Sequence, residues 1–481
     1  MRKTIGLISV ALAMVLFVMG CSKITEDYVK GYDTDPLSPL TAPETKLFVG
    51  AQSAFIEFYE GFPSKLAAVW AQQATGTDRQ FASFDNYNVT ANDFSNDWFL
   101  AYTRVLTNLR LAQEKAKALG KNNLYGAAKV LEGLLMGTVA ALWGDVPYSE
   151  AVKWEEGILT PKYDNQIDVY NAAIAALDTG IKYLTLDATN LPEDIYSTGR
   201  LASKWKKVAY SAKARYLMHL ARKDNYPTTI LDQVIQAGIN GITSTTRTGT
   251  APTAGYGADD LVFTHGTVRQ GNRNLWYEFI VIDRRGYLAA QKCFATKMFG
   301  ERGAAESARF RYYFTADSVS LNTSSTGAYA QNAYYPVIRA SETLLLIAEA
   351  YARKGDLANA VSYLNQARSY VNNIFGTTLR TDLKLADDFG SDQARVLQAI
   401  FNEMYLALMH QVEVFNFLRR IDYKVNYVDR NGNTVWLKPK YGEKFPERFF
   451  YPQSEVSTNP NTPKQTYDDL FEKTRVNGGT K

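Results

Sequence analysis

The sequence predicts a mainly α fold: irregular helix pairs that carry long loop insertions, with a small β-hairpin near the C-terminal end. Three observations predict it. Apolar residues recur at three- and four-residue steps through several long segments, which is the spacing of a buried helix face. Polar stretches rich in Gly, Thr, Ser, Asn and Tyr interrupt those segments. One Asn-Gly pair sits between two short runs of aromatic and β-branched residues, the local signature of a hairpin turn.

The first clear helix starts at Asp97. Trp98, Tyr102, Val105, Leu106, Leu109, Ala112, Ala116 and Leu119 share a face, and Gly120 stops it. Leu124 to Trp143 forms a second, more apolar helix closed by Gly144-Asp145-Val146-Pro147-Tyr148. Ile167, Tyr170, Ile174, Leu177, Ile181 and Leu184 mark a third, and Ser203 has the chemistry of an N-cap for a fourth that runs to Arg222. A last long helix is predicted from Asp392 to Arg420, with Val396, Ile400, Met404, Leu408, Val412 and Phe415 on one side.

Ser341 to Lys354, the turn Gly355-Asp356 and Leu357 to Val371 form the sharpest pair. Ala348, Ala352, Ala360 and Ala367 supply small contact residues, which let two helices approach closely. This unit resembles a tetratricopeptide repeat, whose period is ~34 residues. The other pairs follow it only in outline, so the expectation is a set of irregular tetratricopeptide-like pairs and not a regular solenoid.

Loops at 75–96 and 237–331 interrupt the scaffold, the second with helical patches at about Tyr287 to Phe299. Loops on a rigid scaffold are where binding residues concentrate. Tyr427 to Trp436 reads as the hairpin around Asn431-Gly432. Asp429, Asn431 and Asn433 imitate part of a calcium loop, but the glycine is misplaced and the closing Glu is absent, so no metal site is expected.

The N-terminus is a targeting segment. Arg2 and Lys3 precede an apolar run from Ile5 to Met19, about fifteen residues, too short to span a bilayer comfortably. Val18-Met19-Gly20-Cys21 resembles a bacterial lipobox, in which the cysteine is lipidated and the bond before it is cut; an ordinary signal peptide that contains a cysteine is the alternative. The expected organisation is a signal peptide over 1–20, a lipidated flexible tether over 21–45 and one helical domain over 46–481. With Cys21 acylated, Cys293 has no partner, so no disulfide supports the fold and a buried inert thiol is expected.

Net charge is +4 and spread along the chain, which gives nucleic acid no electrostatic footprint. The three histidines stand apart, none beside another histidine or cysteine at ligand spacing, and no nucleophile elbow, phosphate loop or dinucleotide fingerprint occurs. Neither catalytic residues nor a cofactor is expected. A glycosidase would need two carboxyls ~5 to 9.5 Å apart across a cleft, and no pair is marked. Tyrosine is abundant, at 31 residues against 24 Phe and 7 Trp, and its amphipathic ring suits wet surfaces that grip a ligand.

Several stretches together resemble one family. Trp98-x3-Tyr102, Leu142 to Tyr148, Tyr335-Pro336-Val337-Ile338-Arg339-Ala340-Ser341-Glu342, and Arg448 to Glu455 followed by Asn459-Pro460 are similar, in this order, to landmarks of the SusD/RagB family of surface nutrient-binding lipoproteins, in its SusD-like branch. Asn402-Glu403-Met404-Tyr405 and Gln411 to Phe415 depart from the founder's pattern, which puts starch as the substrate in doubt. Read on their own, the landmarks are structural: a helix stop and turn at Gly144 to Pro147, and an Arg339–Glu342 pair at a helix start.

The resemblance implies a lipid-anchored outer-membrane protein that binds a nutrient glycan and passes it to a SusC-like TonB-dependent β-barrel transporter, without cleaving it. A peptide-capturing relative and a protein-binding helical-repeat adaptor are the alternatives. Asp78, Arg79, Asn86 and Tyr87 in the first loop, and Asn272, Arg273, Trp276 and Tyr277 in the second, set rings beside hydrogen-bonding groups and are the candidate ligand residues. Against this, Trp276, Tyr277 and Phe279 can equally bury their loop on the helices.

Overall fold

The computed structural model of the chain describes residues 42–248, 256–267 and 272–480. The signal peptide, Cys21 and all but the end of the tether lie outside the described residues. The first helix, Glu44–Glu60, already begins inside the stretch read as tether, because Pro43 holds φ near −65° and its carbonyl accepts from Lys46 and Leu47. A second helix, Phe62–Trp70, follows at once, and both are additions to the sequence reading.

The molecule is mostly helical with a few two-stranded pairs, as the sequence predicts. Asn122–Trp143 packs along Gln166–Leu186, Ala202–Lys223 along Thr228–Ile239, and Ala340–Arg353 along Leu357–Phe375. Glycine permits the closest of these approaches: a Cβ on Gly126 or Gly133 would collide with Leu184 or Leu177 of the facing helix. Asn122–Trp143 is long and apolar enough to cross a membrane, yet 94% of its apolar window is buried in the protein core. The hairpin forms where expected, Asn426–Val428 against Thr434–Trp436, with Gly432 at positive φ and Asp429 Oδ1 accepting from the Asn431 and Asn433 amides.

Two helix assignments need correction. Ser203 is not an N-cap: the helix starts at Ala202 behind Leu201, because Gly199 and Arg200, both at positive φ, turn the chain there. Asp392 to Arg420 is not one helix but two, Gln393–Ala407 and Glu413–Arg420. Between them His410 adopts a left-handed φ of 57°, and its amide donates to Gln73 Oε1 at 2.7 Å. The apolar spacing runs straight through this break, so only the tertiary contact reveals it.

Landmark stretches from three parts of the sequence meet in one aromatic node. Trp98 packs on Tyr102 at 4.6 Å and edge-on to Trp143 at 5.4 Å, while Tyr102 donates to the Pro147 carbonyl. Trp143 donates to Phe450 O, and Phe449 N donates to Leu142 O. Asp145 accepts from both Arg475 Nε and Nη2, and from Gln166 N. These residues are spent on holding the C-terminal segment to the helices, in keeping with their structural reading.

Buried ion pairs link the helices. Glu342 does not pair with Arg339, three residues away; it accepts from Arg215 Nε at 2.6 Å and Nη2 at 2.7 Å, because that guanidinium reaches it from the neighbouring helix. Arg339 instead lies over the Phe375 ring. Burial would raise the Glu349 carboxyl, but Arg420 and Arg353 outweigh it and hold it down to about 2. His219 is bonded to Glu413 and Tyr170, and His265 to Glu60, so the histidines serve the interior. Cys293 is fully buried, and burial raises its thiol above the usual value.

Candidate ligand site

The two loops singled out in the sequence are stitched together. Thr75–Gly76 pairs antiparallel with Leu288–Ala289, and Thr77 adds a backbone bond to Tyr287 O at 2.9 Å. Phe81 from the first loop packs against Phe279 from the second, with ring centroids 5.0 Å apart. Glu60, at the end of the first helix, anchors the second loop: its carboxylate accepts from Leu275 N at 2.7 Å and holds His265 at 2.7 Å.

A cavity of about 600 Å³ opens at this seam. Phe62, Phe81, Leu100 and Phe279 give it apolar walls, and Gln80, Asn96 and Arg284 line it as well. Two π-helical segments bound it, Leu100–Leu106 and Glu278–Asp283. Such segments are uncommon and recur at functional sites because the extra residue in the turn re-aims side chains.

Three buried ionisable residues line the cavity; Glu278 is paired with Arg273, which leaves Asp97 and Lys65. Asp97, 2% exposed, leaves its Oδ2 without a hydrogen-bond partner. Burial pushes its carboxyl well above the usual range, with Lys65 pulling it back and Glu57 adding to the rise. Lys65 donates to Glu60 O at 3.1 Å and Gly61 O at 3.2 Å, and its ammonium lies 5.2 Å from the Trp276 ring and 5.5 Å from that of Phe279. Burial lowers it to about 8, against the pull of Glu60 and Asp97. An ammonium has three donors, so one remains after the two carbonyls. A spare donor and an unpaired acceptor beside aromatic rings in one cavity match a hydroxyl, which both accepts and donates.

None of the eight residues proposed from sequence lines this cavity. Asp78 is the N-cap of Arg79–Asp85 and accepts from Arg79 N, and Arg79 is exposed beside it. Asn86 and Tyr87 line a different cleft, with Tyr441 and Tyr467. Asn272 lines a third cavity, beside Tyr196 and Phe263. Arg273 pairs with Glu278 at 3.3 Å, and Tyr277 is half-buried with its amide bonded to Asn274 Oδ1. Trp276 corrects the platform expectation: it is fully buried, donates to Ser64 Oγ at 3.1 Å and stacks on His410 at 4.9 Å. A ring enclosed this way offers no face to a ligand.

Sequence reasoning passed over Lys65 and Asp97. The available signal was Lys65 itself, the one charged residue in the mostly apolar Phe62–Trp70 helix.

A family described as "Starch-binding associating with outer membrane", SusD-like_2, matches residues 41–452. A SusD/RagB family protein from Bacteroides thetaiotaomicron superposes with a TM-score of 0.68 at 21% identity, over 92% of this chain and 100% of that one. A SusD homolog from Bacteroides fragilis gives 0.66 at 18% identity, over 87% and 94%. A chitin-binding SusD homolog from Flavobacterium johnsoniae gives 0.67 at 14% identity, over 90% and 98%. Among curated protein sequences there is no match.

Proposed function

The chain belongs to the SusD-like family, described as starch-binding and associating with the outer membrane, and from that premise we propose that it is a cell-surface lipoprotein that captures an oligosaccharide and delivers it to a partner TonB-dependent transporter. One observation carries the ligand class: Asp97, whose Oδ2 has no hydrogen-bond partner, and Lys65, with a spare donor, line one cavity together with the Phe62, Phe81 and Phe279 rings. Sugar hydroxyls satisfy both groups, while the C–H faces of a pyranose cover the Phe62 and Phe279 rings. The protein binds and releases; the transporter supplies the energy of import.

Asp97→Ala tests this reading. Leaving a buried polar group unpaired costs about 1–3 kcal/mol, which a bound hydroxyl would recover. The variant is therefore expected to bind its oligosaccharide about tenfold more weakly, with a denaturation midpoint unchanged or raised. Titration calorimetry against neutral glucans, N-acetylglucosamine oligomers and short peptides, beside urea unfolding, reads both quantities. A lowered midpoint with unchanged affinity would make Asp97 structural, and binding of peptides alone would move the ligand class to peptides.

The anchor is tested separately. Cys21→Ser is expected to leave a folded protein that moves to the aqueous phase in a detergent phase separation, because several acyl chains and not the polypeptide hold it to the bilayer. A variant that stays with the membrane would overturn the tether.

A further inference from the structure

Beyond the inter-loop cavity, we propose a second carbohydrate subsite in the tyrosine cleft formed by Tyr87, Tyr441, Tyr467 and Phe471, which takes the face of an uncharged pyranose. The proposal rests on the oligosaccharide reading and extends it to a separate part of the surface. The cleft encloses about 630 Å³. Tyr441 is 48% exposed and Tyr467 50% exposed, whereas Tyr87 beneath them is 2% exposed. Two half-open rings over a buried third give stacking area at the surface with a firm floor below.

These rings are fixed in advance. Tyr87 packs edge-on to Tyr441 at 6.2 Å and to Phe471 at 6.3 Å, and Phe471 packs edge-on to Tyr467 at 5.7 Å. The Tyr87 hydroxyl accepts from Lys440 N at 3.0 Å, and Tyr467 donates to Tyr87 O at 3.1 Å. Lys440 Nζ bonds Asp85, which ties the strand of chain before Tyr441 to the first loop. On the other side Phe445 stacks flat on Tyr423 at 3.7 Å, pinning the loop four residues beyond Tyr441 to the core. Tyr467 and Phe471 share a short helix closed by a capping box between Thr466 and Asp469. Rings held this way lose little freedom on binding, which is the condition for useful stacking.

The rim selects the sugar. Exposed Glu443 and Asp468 accept hydroxyls, and only one lysine, Lys444, lines the cleft beside them. Carboxylates in this position favour a neutral sugar over a uronic acid, whose own charge they repel.

A short neutral oligosaccharide, too small to reach both sites, distinguishes them by stoichiometry. Calorimetry on the full mature chain is expected to give two equivalents for the unmodified protein and one for Tyr441→Ala/Tyr467→Ala, with the denaturation midpoint little changed because both rings are half-exposed. Asp97→Ala should retain the cleft equivalent, and adding the two tyrosine substitutions should weaken that remaining binding by about tenfold or more, the range of stacking on an aromatic ring. Tyr467→Phe keeps the ring and should keep the binding, which separates stacking from misfolding. Unchanged stoichiometry in the double variant would overturn the second subsite and leave the cavity reading intact. Absence of oligosaccharide binding by the unmodified chain would overturn both, and an oligouronate that binds the cleft as tightly as the neutral sugar would overturn the ligand class.

Discussion

Trp276→Ala is expected to lower the free energy of unfolding by about 3–5 kcal/mol, the range for removing a large buried aromatic side chain. The ring is fully buried among His410, Tyr329 at 5.2 Å, and the Lys65 ammonium. Its truncation leaves a cavity, strands the Ser64 hydroxyl bond and removes the face that compensates Lys65 for its burial. The second loop, the break between the last helices at His410 and the cavity-lining Lys65 all meet at this ring, so the loss reaches the site through Lys65. Urea unfolding checks it directly. An unchanged midpoint together with lost oligosaccharide binding would return Trp276 to the surface role proposed from its sequence neighbourhood.

That residue also shows where sequence reasoning stops. Helices were legible because a buried helix face repeats every three or four residues, and the Gly355-Asp356 and Asn431-Gly432 turns were legible because their chemistry is local. The loops at 75–96 and 237–331 stood out by composition, and they do border the cavity. Which side chain in a loop faces solvent is not local. Trp276 is buried by Ser64, 212 residues away, and Tyr87 is tied to Lys440, 353 residues away. Four residues within six positions looked like one patch, yet the short Leu275–Tyr277 helix, capped by Asn274, sends Trp276 inward while Asn272 stays exposed at another cavity. Lys65 and Asp97 reach one cavity from different helices, a pairing that no spacing along the chain records.

Arg215→Met is expected to cost about 3–5 kcal/mol at neutral pH, because it leaves Glu342 buried and unpaired. Arg215 is 1% exposed and Glu342 3% exposed, and the guanidinium also donates to the Val337 carbonyl at 3.0 Å. It therefore joins Ala202–Lys223 to Ala340–Arg353 and to the strand Tyr335–Ile338, which pairs with Leu261–Phe263 at the base of the second loop. Burial already lifts the Glu342 carboxyl above its ordinary value against the pull of Arg215, so without that partner it rises further. A carboxyl raised in the folded state adds stability below its unfolded value and loses it as pH climbs through the folded one. The variant's deficit should thus be largest at neutral pH and shrink on acidification toward the ordinary carboxylate range. Denaturation of both proteins at neutral and mildly acidic pH measures the trend. Arg215→Met combined with Glu342→Leu removes both charges and should regain most of the loss. A deficit independent of pH, and not relieved by the second substitution, would locate Arg215's contribution in packing and in its bond to Val337, not in the buried ion pair.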